Sequence, residues 1–185
     1  MLGFQEKLDK IADVLWEVRC ENGWGVYVEE TNEEDCSIAN TFWALRALNE
    51  YSISASDEYR NMLRRIFENA NHSLFGYVGG DTPRLCTTAM SAILYYHLDE
   101  RSKEIVKEVY NVKEAINYVY DMFCHRGVEC ELEVLRGLDI KSPGAKKAPW
   151  THVTVQFATE ALVSAYKNGD LHLIKMNYLI GRLKK

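Results

Sequence analysis

The feature that most constrains this 185-residue chain is an alternation between two kinds of helix-forming segment. In one kind the apolar residues keep to a single face. Phe4, Leu8, Ile11, Ala12 and Leu15 recur at helical spacing, and so do Tyr59, Met62, Leu63, Ile66 and Ala70, then Val112, Ile116, Val119 and Phe123. In the other kind apolar residues run round nearly the whole circumference. Ile38, Ala39, Phe42, Trp43, Ala44, Leu45, Ala47 and Leu48 are the first case, Ala89 to Tyr95 the second, and Val155, Phe157, Ala158, Ala161, Leu162 and Ala165 the third. A one-faced helix lies on a surface, whereas a helix apolar all round belongs inside something. The order is outer then inner three times, followed by a last outer segment through Leu171, Ile174, Tyr178 and Leu179. The fold expected is all-α, as helical-hairpin repeats in one domain spanning 1–185.

Local signals fit that division. Gly23 follows the first segment at a place suited to a left-handed cap, Ser54 or Ser56 can cap the second outer helix, and Pro83 suits the first turn of the second inner one. The inner segments superpose without gaps as TFWALRAL (41–48), CTTAMSAI (86–93) and VQFATEAL (155–162). Each has Ala fourth (Ala44, Ala89, Ala158) and Ala seventh (Ala47, Ala92, Ala161), small residues that let helices approach closely. The first two octets start 45 residues apart and the next two 69 apart, the surplus being a polar insertion around Lys141 to Pro149. A spacing near 45 lies in the range of helical-hairpin repeats.

Composition excludes several functions. An apolar fraction of 47% with 26% charged residues is that of a globular protein. The net charge is −5 and the one basic cluster, Lys141 to Lys147, is short, so nucleic acid is not an expected partner. No apolar run reaches the ~18 residues that a membrane span needs, and the N-terminus lacks the pattern of a signal peptide. Five unevenly spaced cysteines agree with a reducing compartment, so a cytoplasmic location is expected. Cys124, His125 and Cys130 form a metal-like string without a fourth ligand, which reads better as a half-buried thiol than as zinc.

The repeats resemble the α/α toroids of terpenoid cyclases and protein prenyltransferase β subunits. In that family an outer helix leads through a Gly-Trp-Gly-like turn into an inner helix reading Thr-x-x-Ala-Leu-x-Ala-Leu. Asn22-Gly23-Trp24-Gly25 with Thr41 to Leu48 is a close match, and Gly76-Tyr77 with Cys86 to Ile93 a looser one. The third copy keeps the inner helix alone. The resemblance implies a partial toroid, about half the hairpins of a complete ring.

Catalytic motifs of the family are not matched. Where class II cyclases carry their acidic motif ahead of Thr-Ala, this chain has Arg84, Cys86 and Thr87, none of which can protonate an alkene. Prenyltransferases hold zinc through Asp, Cys and His at the amino ends of inner helices, which implies Asp35, Cys36 and His152 as weak candidates for a catalytic and metal site. Their depths along the helices differ, so neither metal nor cofactor is expected, with zinc the alternative. Signatures of nucleotide binding, of serine hydrolases and of zinc proteases are absent.

The preferred reading is therefore a non-catalytic module that binds a protein partner, a second domain or another copy of itself. The alternative is a prenyltransferase- or cyclase-like enzyme, or a binder of an apolar isoprenoid, using a cavity lined by Phe42, Trp43, Met90 and Phe157. A recognition domain of a longer chain is a third reading.

Overall fold

A computed structural model describes residues 3–25, 36–76, 82–126 and 151–183. Within them the chain forms eight α-helices: α1 (Phe4–Glu17), α2 (Ile38–Leu48), α3 (Asp57–Glu68), α4 (Leu85–His97), α5 (Glu100–Lys107), α6 (Val112–Asp121), α7 (Thr151–Lys167) and α8 (Leu173–Leu183). The class is all-α, with no strand longer than an isolated bridge among the described residues. None of these helices is long and apolar enough to cross a membrane. Side-chain caps begin four of them. Ser37, Ser56 and Asp99 each accept a backbone N–H three residues on, and Asn111 accepts one two residues on.

At the centre lies α4. It packs against α2, α6 and α7, and every residue from Thr87 to Tyr95 is buried, as is Leu85. Its polar groups are spent inside. Thr87 donates to the Phe75 carbonyl at 2.6 Å, Thr88 accepts from the Phe75 N–H at 3.1 Å, and Ser91 meets the Tyr110 hydroxyl at 2.9 Å. Such satisfaction is the condition for burying hydroxyls at all. The other two inner helices are less enclosed. Trp43 on α2 is 48% exposed, and Gln156 on α7 is exposed, so the expectation that all three are buried all round holds for α4 alone.

Two turns in the chain are built to one plan. After α1, Cys20 and Gly23 form an isolated antiparallel bridge; after α3, Asn71 and Leu74 do the same. The next residue is aromatic in both, Trp24 or Phe75. Each packs on an aromatic of the preceding outer helix, Trp16 at 6.3 Å and Phe67 at 5.9 Å between ring centroids. Each accepts through its carbonyl from the N-cap of the next inner helix, Ser37 or Arg84. Each donates its N–H to a threonine four residues beyond that cap, Trp24 to Thr41 at 3.0 Å and Phe75 to Thr88 at 3.1 Å.

This pairing corrects the alignment read from sequence. The counterpart of Trp24 is Phe75 rather than Tyr77, and Thr41 matches Thr88, which shifts the second octet by two residues. The third octet keeps its register. Trp43 meets Phe157 and Arg46 meets Glu160, residues that occupy equal places in TFWALRAL and VQFATEAL. Because both pairs advance together along the two helices, α2 and α7 run in the same direction.

Two further expectations change. Phe4 and Ile11 do not face the core: α1 buries Ala12 and Trp16, and leaves Phe4 78%, Ile11 63% and Val14 56% exposed. The Trp16 ring, packed between Trp24 and Tyr59, fixes that rotation of the helix. Second, α5 was not foreseen. It is eight residues long, buries only Ser102 and Val106, and packs on α3.

Candidate functional site

Phe42, Trp43, Met90 and Phe157, the residues expected to line a ligand cavity, do come together, at the cleft where α2, α4 and α7 meet. The cleft is nearly full. Trp43 and Phe157 pack edge to face with centroids 5.5 Å apart, and Ile93 and Leu94 fill in from α4. Arg46 spans the top, donating to Glu160 Oε1 at 2.7 Å while its guanidinium stands 5.9 Å from the Trp43 ring. The remaining space is about 10 Å³, at most the room that one water needs.

Asp35 lies outside the described residues, as does the side chain of His152. Cys36 is buried, and its sulfur lies against that of Cys20. Among the described residues no three His, Cys, Asp or Glu side chains are grouped as a metal site would need. Cys124 is buried within the π-helical turn Met122–Arg126, and Cys130 lies outside the described residues.

A larger hollow of about 620 Å³ opens elsewhere, where the end of α4, the length of α5 and the start of α6 meet the turn between α7 and α8. Its floor is Tyr95, Tyr96 and Tyr110, and its walls carry Lys103, Lys107 and Lys113. Helical spacing puts Lys103 and Lys107 on one face of α5, and the Asn111 side chain, capping α6, sets Lys113 beside them. Gly169, at φ +80°, ends α7 in a left-handed residue, and this delivers Asp170 to the rim.

Asp170 uses both oxygens. Oδ2 accepts from the Tyr96 hydroxyl at 3.1 Å, and Oδ1 faces Lys113 at 3.5 Å. Lys103 bonds Glu100 at 3.0 Å and Lys107 bonds Glu104 at 2.6 Å. Burial first, then the Asp170 charge and hydrogen bond, push the Tyr96 hydroxyl far above its ordinary value, so it stays a donor. Burial also raises Tyr95, against the pull of the Lys107 ammonium.

No family model, curated protein or solved structure matches this chain. The hollow therefore has to be read from its own chemistry. Sequence reasoning missed it because its walls come from α5, a helix with almost no apolar stripe, and because Lys103, Lys107 and Lys113 are spread over two helices with Tyr110 and Asn111 between them. The i, i+4 spacing of Lys103 and Lys107 is the one sequence signal that points to it.

Proposed function

We propose that this chain is a non-catalytic helical-repeat module, organised as a segment of an α/α toroid, which pairs with a second copy of itself through α1. The observation that carries the reading is a contrast between two apolar surfaces. The cleft between inner helices, where an isoprenoid would have to lie, is filled by its own aromatic side chains and bridged by Arg46 and Glu160. The stripe Phe4, Ile11 and Val14 on α1 stands open. Its spacing of seven and three residues is that of a helix–helix seam. Large apolar side chains gathered on one exposed face mark an interface.

A second copy fits that stripe by charge. Lys7 and Lys10 lie beside its first half, and Asp13 and Glu17 lie toward its second half. An antiparallel pair places each set opposite its complement, and a two-fold arrangement of this kind is the commonest way for identical chains to associate. Light scattering at micromolar concentration should give twice the 21.3 kDa of the monomer, and Ile11→Lys should halve it. A wild-type monomer under those conditions would sink the α1 reading.

The enzymatic alternative has its own test. Farnesyl or geranylgeranyl diphosphate, incubated with the protein and magnesium or zinc, should give no product above a boiled control. Turnover that disappears in Cys36→Ser would replace the present reading with the prenyltransferase one.

A further inference from the structure

The turn between α1 and α2 carries a pair of sulfurs that its duplicate lacks. Cys20 opens the bridged turn, Cys36 stands one residue before the Ser37 cap, and both are buried with their sulfurs against each other. The shared plan of the two turns identifies their counterparts. Asn71 takes the place of Cys20 in the second bridge, and Pro83, ahead of the Arg84 cap, takes the place of Cys36. The second turn keeps its bridge, its aromatic and its threonine anchor with neither sulfur. The turn itself therefore does not require cysteine at either position. Two cysteines that meet across sixteen positions of sequence have a chemistry of their own.

From this contrast we propose that Cys20 and Cys36 form a reversible redox pair that sets how firmly α1 is held. A low-molecular-weight disulfide closes the pair, and a thiol reopens it. One thiolate of the pair attacks the small disulfide, which forms a mixed disulfide and releases one thiol. The second cysteine then displaces the other half. The protein gives up two electrons and two protons, and the small disulfide leaves as two thiols. Both sulfurs are buried, so the exchange proceeds during a local opening of the turn. The reduced state is accommodated as well, since Cys20 as a thiol donates to the Gly23 carbonyl at 3.1 Å. The Cα atoms lie 7.2 Å apart, slightly beyond the ~6.8 Å that most disulfides reach, so closing draws the turn towards the start of α2.

Movement of the turn reaches α1 through Trp24. Its indole N–H donates to the Leu15 carbonyl at 2.7 Å, and its ring packs on Trp16, which with Ala12 is all that α1 fully buries. Towards α2, the Trp24 carbonyl accepts from the Ser37 N–H, and Asn40 donates to the Gly25 carbonyl at 3.0 Å. A helix with so little buried surface of its own depends on that turn. A covalent bond across the turn removes open states from which α1 detaches. This control over α1 operates whether or not α1 pairs with a second copy.

The test equilibrates the full chain in mixtures of reduced and oxidised glutathione, quenches with acid, alkylates the remaining thiols and maps the peptides by mass. A Cys20–Cys36 cross-linked peptide should accumulate as the mixture becomes more oxidising and vanish when dithiothreitol is added. The oxidised chain should melt roughly 5–10 °C above the reduced one. Amide hydrogen exchange along α1 should slow by about tenfold on oxidation. Cys20→Ala and Cys36→Ala should each hold α1 at the reduced rate in every mixture, whereas Cys86→Ala should keep the wild-type difference. Absence of the cross-linked peptide at every glutathione ratio would overturn the proposal. So would a cross-link that dithiothreitol leaves intact in the folded chain, because the bond would then be a permanent brace. A reversible cross-link that leaves α1 exchange unchanged would overturn it equally.

Discussion

Helices α2 and α4 have nearly the same apolar character in sequence and end in different surroundings. Each receives a buried tyrosine hydroxyl from the segment after it: Tyr59 donates to the Leu45 carbonyl of α2, and Tyr110 meets Ser91 of α4. Each is held at its start by a threonine beneath an aromatic turn. Yet α4 is buried at every residue from Thr87 to Tyr95, while α2, which packs on α1 and α4 and meets α7 through Trp43 and Arg46, leaves Trp43 half exposed and Ala47 exposed. Apolar residues round a whole circumference state what a helix tolerates, and how completely its neighbours cover it decides what it receives.

The strongest test of what the two helices share is pH. Burial, reinforced by the Asp99 charge, raises the Tyr59 hydroxyl well above its ordinary value of 10.0, and burial does the same to Tyr110. An acid with a raised folded value holds its proton more tightly folded than unfolded. Its contribution is whole below pH 10 and is lost as pH rises further. Unfolding monitored by circular dichroism should begin above about pH 10, with tyrosinate absorbance rising in step. Tyrosinate from both residues in a fully folded protein at pH 11 would break the shared-anchor account.

The next effect should separate the helices. Ala89 is fully enclosed on α4, and Ala89→Leu should cost about 1–3 kcal/mol by overpacking. Ala47→Leu on the open face of α2 should stay within roughly 0.5 kcal/mol of wild type. Thermal melts of the two variants that coincide would mean that the enclosure of α4 has been misread.

Smaller, and matched between the copies, are the turn anchors. Thr41→Val and Thr88→Val each strand a buried N–H, of Trp24 and Phe75 respectively, and each should cost about 1–2 kcal/mol. Urea denaturation giving closely similar losses would sharpen the case for one duplicated turn. A negligible loss in either would confine the likeness to geometry. Least of all should be the Arg46–Glu160 pair. With side chains 33% and 28% exposed, a double-mutant cycle should return about 0.2–1 kcal/mol of coupling.

Much of the fold was legible because helical periodicity is a strong signal over ten or more residues. It gave the all-α class, seven of the eight helices of the described residues, and the three that gather at the central cleft. The register of the second copy was not legible, because the octet rested on alanines. Alanine marks close packing but not direction, and a shift of two positions still lays small residues over one another. The true anchors, Thr41 and Thr88, are defined by hydrogen bonds to a turn that no periodicity describes. Gly23 illustrates the same limit. It was read as a helix cap, but it stands at φ +143° within the bridged turn, where a Cβ would strike the Thr41 side chain. The second turn solves the problem differently, with His72 and Ser73 in left-handed conformations. Trp43 and Phe157 could be foreseen as neighbours from their equal octet positions, but the filling of the space between them depends on side-chain volumes across three helices.

The contacts of Trp43 with Phe157 and of Arg46 with Glu160 also impose an order in time. Each joins residues 114 positions apart. A ribosome adding roughly 5–20 residues per second makes α2 on the order of ten seconds before α7 exists to meet it. For that interval Trp43 and the front of α2 stand bare while α3 and α4 can already close behind them. The nascent chain thus carries a sticky aromatic face that the finished protein half hides, and a chaperone that reads exposed aromatics has its window there.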